Sequence, residues 1–268
     1  MLLAIDVGNT QTMAGVYQGA ELLHEWRIST IPGATADELA AHHDQILRLR
    51  GGSLQALDKM VVGSVVPSLS AALALKFLDG EALVVGPGVR TGMPLAIDNP
   101  HEVGADRIAN AVAAFERFGG PCIIVDFGTA TNFDVVSAAG EYLGGVIAPG
   151  IEVSLEALTS RAARLGRIDL APPARVIGKS TVECLRSGIV HGTVAMVDGM
   201  VVRLKEELSP DALVIATGGL APLVTSLSVE IDEQDPLLTL EGLRLVHVRN
   251  SPAETAGGRR RASAGASE

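Results

Sequence analysis

The stretch VDFGTATNFDVV (residues 125–136) decides the fold. An apolar run ends on the carboxylate of Asp126, turns through Gly128 and Thr129, and resumes as a second apolar run. The chain opens with a similar stretch, AIDVGNTQTMAGV (residues 4–16). With Asp6 placed over Asp126, LLAIDVGNT lies over CIIVDFGTA, and MAGVYQGAELL lies over FDVVSAAGEYL, with no gap. Each copy reads as strand, tight turn, strand, turn and third strand, the third strands being LLHEWRIS and YLGGVIAP. The offset of about 120 residues is too long for a solenoid repeat and describes two related domains.

Beyond each hairpin the pattern turns helical. TADELAAHHDQILRLR is a helix capped by Thr35, with Glu38 three residues on as the capping-box partner. KMVVGSVV is a strand, PSLSAALALKFL a helix opened by Pro67, EALVVGPG a strand and GADRIANAVAAFERF a helix. In the second half GIEVSLEALTSRAARL adds a helix, and a long helical stretch from Lys179 runs through Gly188 and Gly192. ALVIATGG is then a strand and TLEGLRLVHVRN the last helix. Strands alternating with helices make the chain α/β. The end, SPAETAGGRRRASAGASE, is small and polar and reads as a disordered tail, with Arg259–Arg261 solvated.

The 268 residues suit one large domain or two moderate ones. Hydrophobic residues make up 47% and aromatics 3%, so the core is built mostly from Ala, Val, Leu and Ile. A net charge of −10 argues against a nucleic-acid binder, which carries a basic footprint. Cys122 and Cys184 form neither a zinc spacing nor a disulfide framework. The six histidines show no metal spacing. The start, MLLAIDVGN, lacks a basic region and meets Asp6 early, unlike a signal peptide. No apolar run reaches the ~18 residues of a membrane helix. The expected setting is soluble, reducing and cytoplasmic.

Asp6-Val7-Gly8-Asn9-Thr10 suits a phosphate: a carboxylate at a strand end needs a partner or a metal, Gly8 lets backbone approach a ligand, and Asn9 and Thr10 add donors. It also makes a good capped turn. The second copy, around Asp126, Gly128 and Thr129, favours the phosphate reading, since two such turns facing a cleft can hold a polyphosphate from both sides. Gly218 and Gly219 follow a strand and lead into a helix. There is no dinucleotide glycine fingerprint. Gly178-Lys179-Ser180 is not a Walker A end, because Pro173 stands where its first glycine belongs. Thr181 serves either as a first-turn hydroxyl or as a ligand contact. Asp106 and Arg107 open an amphipathic helix after Gly104. They are either ordinary partners of the helix dipole or an acceptor site, one group taking a hydroxyl proton and the other binding an anion.

Taken in order, DVGNT, NPHEVGADRIANA, VDFGTATNFDVV, GEYLGGVIAPG, GKSTVECLRSGIVHG, ATGG and LTLEGLRLV resemble the type III pantothenate kinases, over residues 1–250. The resemblance implies duplicated ribonuclease H-like domains of the actin-like ATPase kind, with a nucleotide cleft between them. The expected domains are 1–118, with the first phosphate loop and pantothenate site, and 119–250, with the second phosphate loop and nucleoside site, followed by the tail 251–268. It implies ATP-dependent phosphorylation of pantothenate to 4′-phosphopantothenate. ATP would meet Asp6, Val7, Gly8, Asn9, Thr10, Gln11, Thr12, Met13 and Thr129, with Gly218 and Gly219 facing the nucleoside. Pantothenate would meet Gly104, Ala105, Asp106, Arg107 and Thr181, with Asp106 as proton acceptor. Asp126 would hold a potassium or ammonium ion, and Asp6 a Mg2+ ion. A homodimer is implied, the partner helping close the pantothenate pocket. Ile97 stands where many relatives carry an aromatic residue, and Asn132 where Thr is often seen. Other readings are a different small-molecule kinase on the same scaffold, or a regulatory protein with an idle cleft.

Overall fold

The computed structural model describes residues 1–69, 73, 81–162 and 168–251. The helix expected from Pro67 is seen at residues 67–69 and 73, and its remainder lies outside the described residues, as do the end of the GIEVSLEALTSRAARL helix and the tail from 252.

The first sheet holds β1 (Leu2–Val7), β2 (Gln11–Gln18), β3 (Glu21–Ser29), β4 (Lys59–Ser64) and β5 (Glu81–Val84), in the order β3-β2-β1-β4-β5. The second holds β6 (Cys122–Phe127), β7 (Ala130–Val136), β8 (Tyr142–Pro149), β9 (Leu213–Thr217) and β10 (Glu233–Gln234), in the order β10-β9-β6-β7-β8. Read from the third strand of each hairpin, the two orders are the same. The strand senses agree as well: β1 pairs antiparallel with β2 and parallel with β4, and β6 pairs antiparallel with β7 and parallel with β9. Each hairpin even carries a bulge near the same place, at Val16/Tyr17 and at Val135/Val136.

The helices are α1 (Ala36–Leu49), α2 (Ala105–Phe118), α3 (Ile151–Arg161), α4 (Thr181–Leu208), α5 (Ala221–Thr225) and α6 (Leu238–Asn250). Thr35 and Glu38 close the expected capping box at α1, with Thr35 N donating to Glu38 at 2.8 Å and Glu38 N donating to Thr35 at 3.3 Å. Gly188 and Gly192 do not interrupt α4, because its buried stripe of Leu185, Val190, Val194, Val197 and Val201 outweighs the low helix propensity of glycine.

Strand periodicity then builds the layers. Successive residues point to opposite faces. Leu3, Ile5 and Val7 pack outward with Trp26, Leu39 and Leu47, while Leu2 and Ala4 face inward. In the second sheet Ile123, Val125 and Phe127 pack outward against α4, while Cys122 and Ile124 face inward. The inward faces enclose one central core around α2 and α6. Asp6 and Asp126 share the parity of the inward residues. The alternation that buries the hydrophobic partners of each strand therefore aims both carboxylates at the space between the sheets.

Helix α6 follows the second sheet in sequence but packs against α2 and against β1, β2 and β4 of the first. It lies close because Gly242 has no side chain: a Cβ there would stand 1.9 Å from the carbonyl oxygen of Ala109.

Candidate active site

The inward carboxylates open into a cleft of about 630 Å3 between the two sheets. The turns at its floor are the repeated ones. Gly8 N donates to Gln11 O at 3.0 Å in the first, and Gly128 N donates to Ala130 O at 3.0 Å in the second. Their tips meet, with the hydroxyls of Thr10 and Thr129 3.0 Å apart. A third wall comes from the loop after β9. Gly218 holds φ +92, and a Cβ on it would fall 2.6 Å from both Asp126 Oδ1 and the carbonyl of Phe127, so only glycine lets this loop close on the second turn.

Helix α2 delivers the remaining groups. Its N-cap is Gly104, where a Cβ would stand 2.3 Å from Asp106 Oδ1, so the missing side chain makes room for that carboxylate to fold over the helix start. Asp106 Oδ1 accepts from the backbone N of Arg107 at 2.9 Å. One turn on, on the same face, the fully buried Asn110 donates Nδ2 to Asp126 Oδ2 at 3.0 Å and accepts from Thr239 Oγ1 at 2.7 Å. Arg107 reaches the second sheet, where Nε donates to the buried Asp134 Oδ1 at 2.7 Å, and the Tyr142 hydroxyl donates to the same oxygen at 2.8 Å.

Crowding of buried acids raises their proton affinity. Burial pushes Asp6 well above the usual carboxylate range, and the charges of Asp106 and Asp126 add to it. Burial, then Asp106 and Asp134, push Asp126 up to about 7. Burial raises Asp106 as well. Asp134 is pushed up to about 6 by burial, against the pull of Arg107. The charge of Asp106 reaches both Asp6 and Asp126, and that of Asp126 reaches Asp6, which places three acids from two sheets and one helix in a common field.

Of the residues expected at the site, Asp6, Gly8, Asn9, Thr10, Gln11, Met13, Gly104, Asp106, Arg107, Asp126, Thr129, Gly218 and Gly219 line the cleft. Val7, Thr12, Ala105 and Thr181 do not. Val7 packs into the outer core of the first sheet, and Thr12 is buried with its hydroxyl 2.9 Å from that of Thr30. Ala105 joins the central core. Thr181 is exposed as the first residue of α4, whose cap is Ser180. Ile97 packs against the central core and is not among the lining residues. Sequence reasoning passed over Arg27, Glu102, Glu152 and Thr239 in the lining, and Asn110 and Asp134 behind it. Strand parity marks Arg27, since its neighbour Trp26 packs outward. Asn110 was findable as the residue four beyond Asp106.

Paired sheets of this topology, with two Asp-x-Gly turns and a glycine loop around one cleft, define a member of the actin-like ATPase and sugar kinase fold class. A solved structure of that shape is the activator of the 2-hydroxyisocaproyl-CoA dehydratase from Clostridium difficile with bound ADPNP; the TM-score is 0.58 at 10% identity, covering 92% of this chain and 94% of that one. At that identity the likeness speaks for the fold alone. The sequence narrows the class: residues 2–203 match the family model for type III pantothenate kinase. A protein of that name from Moorella thermoacetica is 50% identical over 254 residues, covering 94% of this chain and all of the relative. Another of the same name from Streptomyces griseus is 53% identical over 261 residues, covering 93% and 98%. The chain belongs to the type III pantothenate kinase family.

Proposed function

We propose that this chain transfers the γ-phosphoryl group of ATP to the 4′-hydroxyl of pantothenate, releasing ADP and 4′-phosphopantothenate, the first step of coenzyme A synthesis. The observation that carries the reading is the convergence of Asp6, Asp106 and Asp126 on one cleft in a chain of this family. ATP lies along the two turns, its phosphates against the backbone of Gly8, Asn9, Thr10, Gly128 and Thr129, with the nucleoside toward Gly218 and Gly219. Pantothenate lies at the start of α2. Asp106, with proton affinity raised by burial, accepts the hydroxyl proton as that oxygen forms its bond to phosphorus and the bond to the ADP oxygen breaks. Arg107, anchored at Nε by Asp134, keeps its terminal nitrogens for the substrate's anionic end.

The acids fit a cation, because like charges held in one buried space are relieved by one. Among the described residues no three His, Cys, Asp or Glu stand close enough to cage an ion unaided. A Mg2+ ion at Asp6 would therefore keep water and phosphate oxygens as ligands. Potassium or ammonium would take Asp126, whose Oδ2 is held by Asn110. When bound, these cations neutralise charge on the transferring group.

The same reading makes the protein a cytoplasmic homodimer divided into 1–118 and 119–250 with a tail beyond. No helix among the described residues is long and apolar enough to cross a membrane. The assignment of Thr181 to pantothenate rests on the family resemblance alone. The test is ADP formation from MgATP with and without pantothenate, in potassium buffer and again with potassium and ammonium withheld. Strict dependence on pantothenate and on the monovalent cation is expected. ADP formation indifferent to pantothenate would reject the reading.

A further inference from the structure

We propose that Arg27, on the third strand of the first hairpin, is a nucleotide-binding residue that supplies the positive charge for the phosphates of ATP. The inference rests on the kinase reading above.

The cleft is acidic. Asp6, Glu102, Asp106, Asp126 and Glu152 line it, against Arg27 and Arg107 alone, and no lysine is among the lining residues. A nucleoside triphosphate brings roughly four more negative charges into a space already short of countercharge, which bound cations offset only in part. Arg107 is engaged at Nε by Asp134 and stands at the start of α2, the acceptor end. Arg27 stands beside Gln11 of the first hairpin and Gly219 of the loop after β9. Its strand neighbour Trp26 packs into the outer core, so Arg27 points inward, directly across from Met13 of β2. Its Nη1 donates to Gln11 Oε1 at 3.1 Å and its Nη2 to Met13 Sδ at 3.5 Å. Both acceptors are neutral, and among the described residues no carboxylate forms an ion pair with it.

The guanidinium also bridges the halves: a Cβ on Gly219 would lie 2.6 Å from Arg27 Nη1, so the glycine after β9 leaves the space the arginine fills. A planar cation with five donors, held by two weak neutral acceptors between two phosphate turns, keeps several donors for phosphate oxygens. Gln11 and Met13 thus orient Arg27 without a carboxylate in contact, which leaves its outer donors for nucleotide.

The experiment is equilibrium binding of MgATP and of adenosine, without pantothenate, to wild type, Arg27→Met and Arg27→Lys, each with a melting curve. Arg27→Met keeps the apolar stem and should weaken ATP binding about 10- to 100-fold, the range for loss of a charged hydrogen bond. Adenosine affinity should stay within about twofold, and Arg27→Lys should recover part of the ATP affinity. ATP binding unchanged in Arg27→Met, or adenosine and ATP weakened alike, would overturn the assignment. If Arg27→Met fails to fold, Arg27→Lys decides, since loss of the second hydrogen-bonding arm should still weaken ATP and spare adenosine. Wild type that binds no ATP would overturn the kinase reading itself, an outcome distinct from wild type and Arg27→Met binding it equally.

Discussion

Arg107 on α2 and Asp134 on β7 form an ion pair, Nε to Oδ1 at 2.7 Å, with Asp134 fully buried and Arg107 largely so. The pair joins the helix that carries Asp106 to the sheet that carries Asp126, and Tyr142 completes it from β8. Removing one partner of a buried pair leaves an uncompensated charge. Asp134→Ala should cost about 3–5 kcal/mol of unfolding free energy. Asp134→Asn keeps an acceptor oxygen for both donors and should cost less. Urea titration of the three proteins checks the order; Asp134→Ala falling within about 1 kcal/mol of wild type would contradict it.

The contact between α2 and α6 gives a second test. A methyl at Gly242 would meet the backbone oxygen of Ala109, which no rotamer change can relieve. Gly242→Ala should destabilise by about 3 kcal/mol or more, at the upper end of overpacking effects. Because α2 must shift to admit it, turnover should fall even where the protein remains folded. A melting curve and a rate on the same sample check both.

A third prediction concerns pH, in EDTA, without nucleotide and with potassium and ammonium withheld. Asp6, Asp106, Asp126 and Asp134 all hold protons more tightly folded than unfolded. Between about pH 4 and 7 the native state therefore binds more protons than the unfolded state, and stability falls as pH rises. His43 opposes this: burial lowers it to about 4, so the unfolded state binds its proton below about 6.5 and that contribution weakens stability as pH falls. Four carboxylates outweigh one imidazole. The melting temperature should drop from pH 5 to pH 8, and a rise would contradict the assigned shifts.

Asn110 offers a fourth. Its donation to Asp126 is the hydrogen bond that favours the ionised carboxylate. Asn110→Leu removes that donor at similar volume and should raise the Asp126 proton affinity further. The acidic limb of the kcat/KM profile should move to higher pH. An unmoved limb would show that Asp126 does not govern it.

Much of this was legible in the sequence, for physical reasons. Period-two alternation and an aligned Asp-x-Gly turn predict both hairpins to within a residue or two, and Thr35 with Glu38 announces its helix because capping is local. The convergence of Asp6 and Asp126 follows from strand parity once two sheets face each other. Long-range pairings were not legible. Nothing near Arg107 in the sequence names Asp134, 27 residues away, as its partner. The return of α6 to the first sheet depends on a glycine meeting a backbone oxygen of another helix, a contact with no periodicity of its own. Arg27 sits in a strand whose pattern shows its face but not what lies across the cleft.

In the proposed reaction Asp106 takes the proton of a hydroxyl acceptor in a cleft shared by both halves. The most direct measurement is the pantothenate-dependent rate of ADP formation by Asp106→Asn at saturating MgATP, beside its ATP affinity and melting temperature. Turnover should fall about 10²- to 10⁴-fold with ATP binding and fold retained. Turnover within a few-fold of wild type would contradict it.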